Sequence, residues 1–76
     1  MIERIAFLIK RDMEFNPAGE TRAEAMRCAA LSAQAEFPHV TASQFGDAAA
    51  TLGHHRQGAT NRFREAMKWA AELDNE

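Results

Sequence analysis

Apolar residues recur every three or four positions in four stretches of the chain, and short breaks rich in Pro, Gly or polar residues separate them. Ile2, Ile5, Leu8 or Ile9, and Met13 mark one face of a first helix over residues 2–13. The run Asn16-Pro17-Ala18-Gly19 ends it, because proline cannot donate its amide and glycine turns without a Cβ penalty. Thr21 with Glu24 three residues later has the form of a capping box, and Met26, Ala30, Ala33 and Phe37 continue as the stripe of a second helix over 21–36 that Pro38 stops. Thr41 and Gln44 repeat the capping pattern ahead of Phe45, Ala48, Ala49 and Leu52, a third helix over 41–52. Gly53 supplies the corner, and Ala59, Phe63, Ala66, Ala70 and Leu73 form the stripe of a fourth helix over 57–73, roughly 25 Å long. Strand-like alternation never runs beyond a few residues.

The pattern predicts an all-α fold, a small bundle of about four helices in one domain over residues 1–76, with a helix-turn-helix at its C-terminal end. Ile5, Ile9, Phe37, Phe45, Leu52 and Phe63 are the expected core, and Ala23, Ala29, Ala30, Ala33 and Ala35 let the second helix approach its neighbours closely. A core this small buries only about 60% of the unfolded surface, so the domain is expected to be marginally stable. Phe7 and Trp69 fall off the main stripes and have two readings, as caps on the edge of the core or as part of a homodimer contact.

The outward side of the fourth helix carries the candidate chemistry. With Ala59 as the buried direction and about 100° per residue, Gln57, Thr60, Asn61, Arg64 and Lys68 point away from the core. Amide side chains give bidentate hydrogen bonds to adenine, arginine to guanine or phosphate, and threonine to a base edge or methyl group, so this mixture suits the DNA major groove. A surface helix needs polar residues opposite its stripe in any case, so a merely solvated face is the plainer reading of the same positions.

The run Leu52-Gly53-His54-His55-Arg56-Gln57-Gly58-Ala59-Thr60-Asn61-Arg62-Phe63-Arg64 resembles the recognition hairpin of Fis-type and PucR-type helix-turn-helix regulators. The similarity covers residues 41–66, about a third of the chain. It implies that Ala48 and Ala49 admit the second helix, that Gly53 makes the turn, that Ala59 and Phe63 are buried, and that Arg56, Gln57, Thr60, Asn61 and Arg64 face double-stranded DNA. His54 stands where the family usually has Ile or Val, and Gly58 where it usually has Thr. Gly58 marks either a frayed helix start or a point where the backbone comes close to a phosphate, and of the two histidines one is expected under the corner and the other, His55, exposed and, when protonated, able to contact phosphate. Paired recognition helices read half-sites about one DNA turn apart, which makes a homodimer the expected working form.

Charge is local where it matters. Residues 54–68 hold four bases against Glu65 alone, whereas residues 69–76 hold three acids and the whole chain is at −2. Acidity elsewhere counts against nucleic acid in general, because affinity comes largely from neutralising phosphates, yet it also limits indiscriminate binding. The same bases, Arg56, Arg62, Arg64 and Lys68, suit an acidic protein partner, so a small phage- or plasmid-type inhibitor or adaptor is the alternative.

Catalysis is not expected. Cys28 and His39 lack a third orienting group, and Cys28 reads as a small buried apolar residue. Adjacent histidines without a second ligand cluster predict no metal, and no cofactor motif is present. A single cysteine, an N-terminal apolar run of only Ile5 to Ile9, and no stretch near about 20 apolar residues predict a cytoplasmic chain without a membrane span.

Overall fold

The computed structural model describes residues 1–15 and 22–74. They form four helices and, among the described residues, no strand: α1 Ile2–Phe15, α2 Arg22–Glu36, α3 Ala42–Thr51 and α4 Arg56–Asp74. The all-α bundle expected from the periodicity is therefore the architecture, with α1 one turn fragment longer than its stripe. The turn at 16–19 and the Thr21 half of the first capping pair lie outside the described residues.

α2 packs on both α1 and α4, and α3 does the same from the other side, so α1 and α4 occupy opposite corners. Between them lie Ile5, Leu8, Ile9 and Phe45, all fully buried. Each such side chain contributes on the order of 1.5–3 kcal/mol relative to its exposed state. The Phe45 and Phe63 rings meet at 5.3 Å with a 38° tilt and join α3 to α4. Ala29, Ala30 and Ala33 give α2 a fully buried face of small side chains, which lets two helices approach it at once.

Loop chemistry fixes the entry to the hairpin. Val40 donates its amide to the Phe37 carbonyl at 2.9 Å across Pro38-His39, and the buried Val40 side chain plugs the end of the core. Thr41 then caps α3: its Oγ1 accepts from the Gln44 amide at 3.1 Å, while its own amide donates to Gln44 Oε1 at 2.9 Å. This is the reciprocal pair read from the sequence, and it satisfies two amides that a helix start otherwise leaves without partners.

Several expected burials are corrected. Leu52 is 38% exposed because it occupies the C-cap of α3, where the chain has already left the packed face. Phe37 is only half-buried. The α4 stripe is buried through Ala66 and no further: Ala70 is half-buried and Leu73 is 49% exposed. Cys28 is exposed, on the outer side of α2 from Ala29 and Ala30. Phe7 and Trp69 remain half-exposed, Phe7 with the Arg4 guanidinium 5.0 Å from its ring centre. Arg4 also makes a two-armed contact with Glu36, at 2.7 and 2.9 Å, that ties α1 to the end of α2.

Candidate nucleic-acid interface

The hairpin corner is built by two interlocking caps. The His54 amide donates to the Ala49 carbonyl at 3.1 Å and the Gly53 amide to Ala50 at 3.0 Å, the double bond pattern that closes a helix C-terminus. It requires Gly53 in the left-handed region, at φ +86°, which a side-chain-bearing residue adopts only with strain. Immediately afterwards, the His55 carbonyl accepts from Ala59 at 3.0 Å and His55 Nδ1 accepts from the Gly58 amide at 3.1 Å. His55 is thus the N-cap of α4, in the role usually taken by Ser, Thr, Asp or Asn.

That hydrogen bond takes up Nδ1 as the acceptor and leaves Nε2 as the ring nitrogen that can donate outward, toward a phosphate. Gly58 sits in the first turn of α4, its amide held by the His55 cap.

Along α4, Gln57, Asn61, Arg64 and Lys68 are all exposed and lie in one sector of the helix surface. Gln57 Nε2 donates to Asn61 Oδ1 at 3.1 Å, which holds the two amides as a unit one turn apart. That bond leaves Gln57 Oε1 as an acceptor and Asn61 Nδ2 as a donor outside it. Among the described residues neither Arg64 nor Lys68 lies within ion-pair distance of a carboxylate. Arg56 differs: its Nη1 is 2.9 Å from Asp47 on α3, with both side chains well exposed. Arg62 is turned toward α2, where its Nη2 meets Glu65 at 3.0 Å and Arg27 meets the same carboxylate at 3.0 Å.

Thr60 does not belong to this face. It is 7% exposed, and its hydroxyl donates to the Arg56 carbonyl at 2.9 Å. α4 is gripped from two sides, by α2 and by α3, so its buried arc is wider than one stripe centred on Ala59 and takes in Thr60. The α3 partner at that point is Gly46, a buried residue the periodicity did not mark. A glycine inside a short alanine-rich helix, followed by Ala48 and Ala49, was the available signal that something passes close by. His55 as a cap was also readable, as a hydrogen-bond acceptor three residues before Gly58.

No family model, curated protein or solved structure matches the chain. Among the described residues no helix is long and apolar enough to cross a membrane.

Proposed function

We propose that this chain is a small helix-turn-helix DNA-binding regulator of transcription that lays the outer face of α4 in the major groove. The observation that carries the reading is the set Gln57, Asn61, Arg64 and Lys68, aligned and exposed on a helix whose start is fixed by two caps. From Gln57 to Lys68 the face runs roughly 16 Å at 1.5 Å per residue, enough to follow about five base pairs.

Each residue has a distinct part. The coupled amides of Gln57 and Asn61 present an acceptor and a donor together, which is what an adenine edge needs. Arg64 meets guanine or phosphate, and Lys68 meets phosphate. Arg56 reaches phosphate by exchanging Asp47 for it, an exchange between exposed partners that costs little in water. His55 offers Nε2–H to the backbone at the helix start. Two chains acting as a homodimer would set two α4 helices on half-sites about one turn apart.

Binding of random-sequence duplex DNA, followed by fluorescence anisotropy through a salt series, tests the reading. Log affinity is expected to fall linearly with log salt, with a slope set by the phosphates contacted. Absence of duplex binding at low salt would contradict it and favour an acidic protein as the partner of Arg56, Arg62, Arg64 and Lys68.

A further inference from the structure

The outer face of α4 leaves unused a groove on the flank turned toward α2. It encloses about 450 Å³, and Arg22 and Met26 of α2, His54 and His55 of the corner, and Gly58 and Arg62 of α4 contribute to its walls. Among the described residues no carboxylate lines it. Arg22 is exposed and makes no ion pair with any other described residue. Arg62 lends one arm to Glu65 outside the groove, and its Nε is buried without an acceptor among the described residues, so the guanidinium is only partly committed. Gly58 keeps the wall low where a side chain would otherwise stand.

The position of this groove around α4 gives it a meaning. Take the direction shared by Gln57, Asn61, Arg64 and Lys68 as the centre. At about 100° per residue, Arg56 then lies about 110° to one side, and Gly58 and Arg62 lie about 90° to 130° to the other. A helix with its side chains is about 10–12 Å across and the major groove about 12 Å wide, so a helix seated there presents its two flanks to the two sugar–phosphate strands. Arg56 supplies a cation on the α3 flank. On the α2 flank the same need falls to Arg22, with His55 beside it in the groove.

We infer that this groove is a second phosphodiester contact, with Arg22 as its principal cation and His55 Nε2 as a neighbouring donor, so that the domain grips both DNA strands rather than one. The inference rests on the DNA reading of α4 and adds to it residues from outside the helix-turn-helix. A contact of this kind is electrostatic and blind to sequence, and it makes a specific mark on the salt dependence.

The full chain, Arg22→Gln and Lys10→Gln are titrated with a short random-sequence duplex over a series of KCl concentrations. Lys10 is an exposed α1 cation outside the groove and controls for net charge. For Arg22→Gln the slope of log affinity against log salt is expected to become shallower by about 0.9, the loss of one phosphate, with Lys10→Gln unchanged. Matching thermal melts of Arg22→Gln and the parent chain verify the fold, and the sequence preference of Arg22→Gln is expected to equal that of the parent. An unchanged slope for Arg22→Gln, or an equal change for Lys10→Gln, overturns the second contact while leaving the α4 reading intact. Failure of the parent chain to bind duplex overturns both.

Discussion

The Thr60 hydroxyl occupies the space that a side chain on Gly46 would need. A Cβ placed on Gly46 would sit far inside contact distance of Thr60 Oγ1, with the Arg56 carbonyl 3.2 Å away. α3 and α4 cross here with only the Thr60 hydroxyl, the Arg56 carbonyl and the root of the Arg56 side chain against Gly46, so the close approach of α4 depends on the missing Cβ. Elsewhere in the bundle alanines mediate close approach; at this point even a methyl group is too large.

Gly46→Ala is therefore expected to destabilise the domain. Overpacking costs about 1–3 kcal/mol, against which the better helix propensity of alanine returns at most about 1 kcal/mol. Removing Oγ1 in Gly46→Ala/Thr60→Ala is expected to recover part of the loss. Thermal or urea unfolding of the four members of the double-mutant cycle checks this, and additive effects would show that the two residues do not compete for space.

His55 should behave as a cap. His55→Ala removes the acceptor for the Gly58 amide and is expected to cost about 1 kcal/mol, whereas His55→Asn and His55→Ser, which restore an acceptor, are expected to recover most of it. Urea midpoints of the three variants make the comparison. Equal losses in all three would mean that the ring acts through packing instead.

One acid-sensitive contribution is visible. The hydrogen bond from Arg4 holds the Glu36 carboxyl below the ordinary glutamate range, assisted by the charges of Arg4 and Arg11 and opposed by partial desolvation. A group with a depressed folded-state value stabilises the fold above its ordinary range, and that stabilisation is lost as the pH falls through the folded value. Because both side chains are open to solvent, the effect is small and is weakened by salt. Glu36→Gln is expected to flatten the acid side of a stability-against-pH curve at low ionic strength and to leave the neutral region nearly level. An unaltered acid limb would show that other carboxylates carry it.

Much of this architecture was legible because the fold depends on local rules. The Thr41–Gln44 pair, the positive-φ Gly53 and the buried run Phe45, Ala48 and Ala49 follow from capping, turn and 3.6-residue rules that need no knowledge of neighbours. The misreadings share one cause. Periodicity places Thr60, Leu52, Leu73 and Cys28 one helix at a time, while their exposure depends on which helices stand beside them and where those helices end. Thr60 is covered because α3 comes close at Gly46, and Leu73 is bare because its neighbours no longer reach it. Of the outward face, Gln57, Asn61, Arg64 and Lys68 stand in the open, whereas the Arg56–Asp47 pair depends on an approach between two helices that periodicity does not encode.

In the proposed complex α4 reads base edges through Asn61 and Gln57 and only anchors through Lys68. Selection of bound duplexes from a random pool, carried out in parallel with the parent chain, Asn61→Ala and Lys68→Ala, tests it most directly. The expected result is a defined sequence preference for the parent, relaxation at one base position for Asn61→Ala worth about 1–3 kcal/mol, and the parent preference at uniformly weaker affinity for Lys68→Ala. A parent chain that enriches no sequence, or two variants that lower affinity alike for every duplex, would contradict it.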